Sequence, residues 1–151
     1  MKSTIIKYGI RSLIAGLILF GISLLLSLQF EIGNSEILGY AGIIIALSMI
    51  YFGIKAYRDR VNGGAVSFGN ALLVGLGISA MGSLGIAVAD MIYTGIIDPD
   101  WAVNYAEEMK AQGVEAEVYS TPMLGVLMFF IAMFVGMIIT LISALILKRK
   151  A

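Results

Sequence analysis

The apolar run from about residue 68 to residue 97 constrains this chain more than any other stretch. It contains no Lys or Arg and a single acid, Asp90. About 20 apolar residues suffice for a helix to cross the hydrocarbon core of a bilayer. Three further runs, about 10–28, 37–54 and 123–147, are as apolar, with Arg11 at the start of the first their only charge, and contain no acid at all. Asp90 is therefore the one acid inside any of the four runs.

A run of this kind in water would need a large soluble fold to bury it. The chain has 151 residues, 60% hydrophobic and 13% charged. Soluble domains are closer to half apolar and a quarter charged. Lipid is the solvent that suits the excess. The expected fold is all-α: a bundle of four transmembrane helices forming a single membrane domain over residues 1–151.

The basic start, Lys2, Lys7 and Arg11, leads into the first run. That run is longer than the apolar core of a signal peptide, and residues 27–31 offer no small-x-small cleavage site, so it reads as a retained first span. Gly9, Gly16 and Gly21 on it are expected to let a neighbouring helix approach. Gly33-Asn34 reads as a turn joining it to the second span. Lys55 to Asn62 forms a basic hinge, Gly63-Gly64 breaks it, and Ser67 is an expected N-cap for the third span. Gly75, Ser79, Ser83 and Ala87 recur every four residues on that span and form a candidate helix-packing face. They make it the expected central helix.

Residues 98–122 form the expected outer loop. Asp98-Pro99 resembles a helix start. Trp101, Tyr105 and Met109 recur at every fourth position, and Gly113 is an expected stop. This predicts a short amphipathic helix at the membrane surface, its aromatic stripe turned to lipid or to the bundle. Thr121-Pro122 marks the entrance to the last span.

The charges are sorted by segment. Nine of the ten Lys and Arg fall in the N-terminus, the hinge and the C-terminus. Eight of the ten acids (Glu31, Glu36, Asp98, Asp100, Glu107, Glu108, Glu115 and Glu117) fall between spans one and two or three and four. Four spans put the basic segments together on one side. The positive-inside rule makes that side cytoplasmic. The expected location is the bacterial inner membrane, with both termini inside.

The stretch Tyr51-Phe52-Gly53-Ile54-Lys55-Ala56-Tyr57-Arg58-Asp59, then Gly63-Gly64, Ser67-Phe68-Gly69 and Ala71, resembles the signature of a family of uncharacterised bacterial membrane proteins, domain of unknown function 4199. Ile97-Asp98-Pro99-Asp100-Trp101 and the closing span from Gly136 to Lys150 are similar to that family too. The resemblance covers the whole chain. It implies four spans with an outer loop between the third and fourth, and it brings no assigned activity or ligand. Some members carry an acid and a proline in the last span. Residues 129–136 here have neither, so the resemblance supplies no partner acid for Asp90.

With no Cys and no His, thiolate and imidazole metal sites, Ser–His and Cys–His catalysis and disulfides are excluded. No enzyme activity, cofactor or metal site is expected. An acid at mid-membrane costs about 2.5–3.5 kcal/mol and often marks an ion or proton path. Asp90, with Ser83 and Thr94, is therefore the candidate intramembrane polar site. The alternative is that Asp90 only hydrogen-bonds Thr94, Tyr93 or a neighbouring helix near the outer end. Lys55, Arg58 and Arg60 are candidate contacts for anionic lipid headgroups, or simply a topology-setting turn.

The leading functional expectation is a non-enzymatic structural or accessory protein acting through helix–helix contacts. The alternative is a small homo-oligomeric transporter or channel using Asp90, and an anionic-lipid-binding protein is a weaker one. The expected partners are the lipid bilayer and a second copy or another membrane protein. Nucleic acid is not expected, and no small-molecule ligand is named by the sequence.

Overall fold

The structure, a computed structural model, describes residues 1–30 and 32–150. Four long helices run back and forth, with a short fifth between the last two. Helix α1 spans Lys2–Ser27 and includes a π-type stretch at Gly16–Phe20. Helix α2 comprises Ile32–Leu47, Met49–Ala56 and a π-type end at Tyr57–Val61. Helix α3 spans Phe68–Ile97, its last turn, Tyr93–Ile97, again π-type. The short helix α4 is Trp101–Ala111, and α5 is Thr121–Leu147.

All four long helices are long and apolar enough to cross a membrane. Their outward faces carry the apolar residues. On α1, Ile6, Ile10, Ile14, Ile18 and Ile22 stand in one row, each about half exposed. A monomeric soluble protein does not leave so continuous an apolar surface in water. This is a multi-pass membrane protein, and its environment is a bilayer.

Helix ends extend past the apolar runs. α1 begins at Lys2 because Lys2, Lys7 and Arg11 are exposed and their long stems can follow the helix outward. Hydropathy marks the part of a helix that crosses hydrocarbon, not its full length. The Gly33-Asn34 turn expected from sequence is not formed. Those two residues belong to the opening of α2, and α1 is followed by a turn at residues 28–30. Glu31 lies outside the described residues.

Helix α3 is the central helix. Its apolar window is 56% buried, against 28%, 39% and 33% for α1, α2 and α5. The cause is side-chain size. Along the antiparallel contact with α5, Gly75 faces Thr140, Ser79 faces Gly136, Met91 faces Gly125 and Gly95 faces Thr121. A small residue on one helix receives a larger one from the other. Lipid supplies no hydrophobic drive between helices, so such close packing holds them together. Against α1, which runs parallel to α3, Gly77 receives Ile5, Gly9 receives Met81, and Gly85 lies on the Leu13 carbonyl. Ser12 Oγ crosses from α1 to α2 and donates to the Ala46 carbonyl at 3.4 Å. Gly21, expected to admit a neighbour, faces open space instead.

The two ends of the bundle differ. The end bearing both chain termini is densely packed, with Ala46, Leu47, Ile50, Ile54, Val74 and Ile78 fully buried. It is tied by an antiparallel bridge between Val66 and Arg149, with N–H···O distances of 3.1 and 3.0 Å. At the acidic end the helices spread. No residue of α2 from Glu36 to Ala41 is buried.

Candidate functional site

Spreading at the acidic end leaves a cavity of about 1290 Å³ between α1, α2, α3 and α5. The space exceeds that of a common drug-sized site, which is about 300–1,000 Å³. Its walls are mostly apolar: Phe20 and Leu24 from α1, Ile43 from α2, Leu124, Met128 and Ile131 from α5. α3 contributes Asp90 and Tyr93.

Helix α4 lies along the acidic side. Trp101, Tyr105 and Met109 all line the cavity, so the aromatic stripe is turned to the bundle. Trp101 and Tyr105 stack with ring centroids 4.9 Å apart. The loop fixes this helix at both ends. The residue before Pro99 is driven out of the helical region, and Asp98 adopts φ −132°. That stops α3. The N-cap of α4 is Asp100 rather than Asp98, and no side-chain bond caps it. At the far end Gly113 takes φ 79°. Its N–H donates to Lys110 and that of Val114 to Met109, each at 3.0 Å. This is a Schellman stop, for which glycine is favoured because the conformation is left-handed. Residues 114–120, which alternate in polarity, form no strand.

Asp90 is only 6% exposed. It lies seven residues before the end of α3, about 10 Å along the helix axis. Among the described residues no hydrogen bond or ion pair reaches its carboxylate. The Thr94 hydroxyl donates instead to the Asp90 backbone carbonyl, at 2.9 Å. Two of the π-type stretches adjoin this place: Phe20 ends one and Tyr93 begins another. Such stretches shift a helix's side-chain register and are frequent at functional sites.

The other sequence-derived candidates separate. Thr94 is buried beside Asp90 but does not line the cavity. Ser83 is two turns away, fully buried, and its hydroxyl has no partner among the described residues. Gly75 and Ser79 are occupied by α5, Ser79 Oγ lying 3.5 Å from the Met133 sulfur, and Ala87 is buried. In the hinge, Arg58 is held within the chain. Its Nε contacts Asp59 Oδ1 at 2.6 Å, and a terminal nitrogen lies 3.5 Å from the Leu147 carbonyl. Lys55 and Arg60 remain exposed. Among the described residues no group of three or more acids is placed to hold a metal ion.

Sequence reasoning reached Asp90 and the aromatic stripe but not the cavity that joins them. Tyr40 and Ser27 are also on its wall. The only sequence signal for them is their position at the acidic ends of α1 and α2, level with the loop.

These features define a multi-pass four-helix membrane protein with a cavity at its acidic end. Residues 7–149 match the family model "Protein of unknown function (DUF4199)", and the chain belongs to that family. Neither a curated protein nor a solved structure matches it.

Proposed function

We propose that this protein is a non-enzymatic, multi-pass protein of the bacterial inner membrane that binds an amphiphilic small molecule in the cavity beside Asp90. The observation that carries the reading is a cavity of about 1290 Å³, apolar in its walls, with one buried acid on them. Apolar pockets with a few placed polar groups are the usual form of a small-molecule site. The sorting of charges supports cytoplasmic termini, which puts the cavity in the outer half of the bilayer.

The reading falls nearest to the carrier alternative drawn from the sequence. An accessory role through the small-residue face of α3 has less support, because α5 of the same chain already packs on Gly75 and Ser79, and Ser83 and Ala87 are buried. The absence of Cys and His supports a non-enzymatic role.

The test uses the single tryptophan, Trp101, as energy donor to the neutral apolar probe N-phenyl-1-naphthylamine, with the protein in lipid nanodiscs. Saturable transfer that weakens when Leu24→Phe and Met128→Phe narrow the space is the expected result. Transfer that rises without saturation, and equally in the narrowed variant, would mean partition into lipid only and would overturn the reading.

A further inference from the structure

We infer that the cavity selects a lipophilic organic cation: a protonated amine, quaternary ammonium or phosphonium carried on an apolar body. This rests on the proposed binding role and adds the charge of the ligand.

Three observations on the site converge. The first is Asp90 itself. It is more than nine-tenths buried, it lines the cavity, and among the described residues nothing pairs with its carboxylate. A buried carboxylate without a partner is costly, so an incoming cation would meet an unsatisfied group. The second is the rim. Glu36, Glu115 and Glu117 line the cavity with Asp90, against Lys110 as the only cation lining it among the described residues. Clefts lined mainly by one sign of charge concentrate ligands of the other sign. The third is the aromatic lining. Tyr40, Tyr93, Trp101 and Tyr105 line the same space, and aromatic faces attract organic cations.

The same wall disfavours the alternatives. An anionic ligand would meet Asp90 and the rim acids. A compact hydrated cation would gain little from apolar walls of this extent. A zwitterionic phospholipid shares the ammonium, but its phosphate would lie among the rim glutamates. The favoured ligand is therefore a free lipophilic monocation.

The test compares two probes of nearly the same shape on the protein in nanodiscs. Methyltriphenylphosphonium is cationic and triphenylphosphine oxide is neutral. Trp101 fluorescence reports occupancy, and Asp90→Asn is the variant, with size-exclusion and circular dichroism profiles to show that it folds. The inference expects the cation to bind at least tenfold more tightly than the neutral probe, and expects Asp90→Asn to cut that preference several-fold. Equal binding of both probes to the unaltered protein would overturn the cation selectivity and leave the binding role standing. Failure of both probes to bind would overturn both readings. Should Asp90→Asn misfold, Asp90→Glu replaces it, and retained cation preference is then expected. Mass spectrometry on protein exchanged into detergent supplies the remaining arm. An ammonium-bearing phospholipid retained by the unaltered protein and lost from the variant would assign the site to lipid and overturn the free-cation form.

Discussion

Trp101 and Tyr105 stack almost parallel, 12° apart, over the mouth of a cavity that has Asp90 in its wall. The two residues stand one helical turn apart, so a single short helix both carries the pair and aims it. Burial raises the Tyr105 phenol above its ordinary 10.0, and the charges of Glu36, Tyr40 and Glu108 add to the shift. The neutral phenol is thus favoured when α4 is docked.

That shift gives the docking of α4 a pH dependence. Its contribution is full below the ordinary value of 10.0 and is lost as pH rises through the higher, folded value. Alkaline titration followed by Trp101 emission is expected to show a red shift in that range. Tyr105→Phe should remove the transition while leaving the neutral-pH spectrum almost unchanged. An identical transition in Tyr105→Phe would assign it to another group.

The glycines separate into two kinds. Gly136 is pressed against Ser79, whereas Gly21 faces open space. Gly136→Val is expected to destabilise the bundle by about 1–3 kcal/mol through overpacking. Gly21→Ala should be neutral or stabilising by up to about 1 kcal/mol, since alanine is the better helix former. Unfolding in mixed detergent micelles measures both. Equal losses at the two positions would contradict the packing described.

Arg58 links the hinge to the last carbonyls of α5, through Leu147, while Asp59 orients it. Arg58→Ala is expected to speed amide exchange at residues 148–150 and around Val66, where the two ends are bridged. Arg58→Lys should restore little, because a lysine lacks the planar fork that engages Asp59 and the carbonyl together. Unchanged exchange in Arg58→Ala would remove the anchoring role.

The frame of this fold is legible in the sequence because lipid imposes so simple a rule. Four apolar runs give four spans, Ser67 caps α3 with its Oγ accepting from Asn70 N–H at 3.2 Å, and Gly113 ends α4. The α3 stripe pointed to the central helix for a related reason: small side chains permit close approach. Gly33-Asn34 misled because a turn dipeptide is only a local preference, and α2 extends through it. The cavity was not legible at all. It arises where helices part, and no local pattern records the distance between α2 and α5. Asp90 could be singled out by its charge, but whether Ser83 or Tyr93 would share its surroundings depends on helix rotation and on the π-type turn at Tyr93–Ile97.

The most direct test of the cavity is thiol accessibility, and the chain contains no native cysteine to interfere. Leu24→Cys places a thiol on the cavity wall, and Leu47→Cys places one in the fully buried core. Both lie in apolar surroundings, so only access distinguishes them. Labelling in membranes with a small cationic methanethiosulfonate reagent is expected to modify Leu24→Cys and to spare Leu47→Cys. Equal labelling of the two, or protection of Leu24→Cys in a folded protein, would contradict an open site beside Asp90.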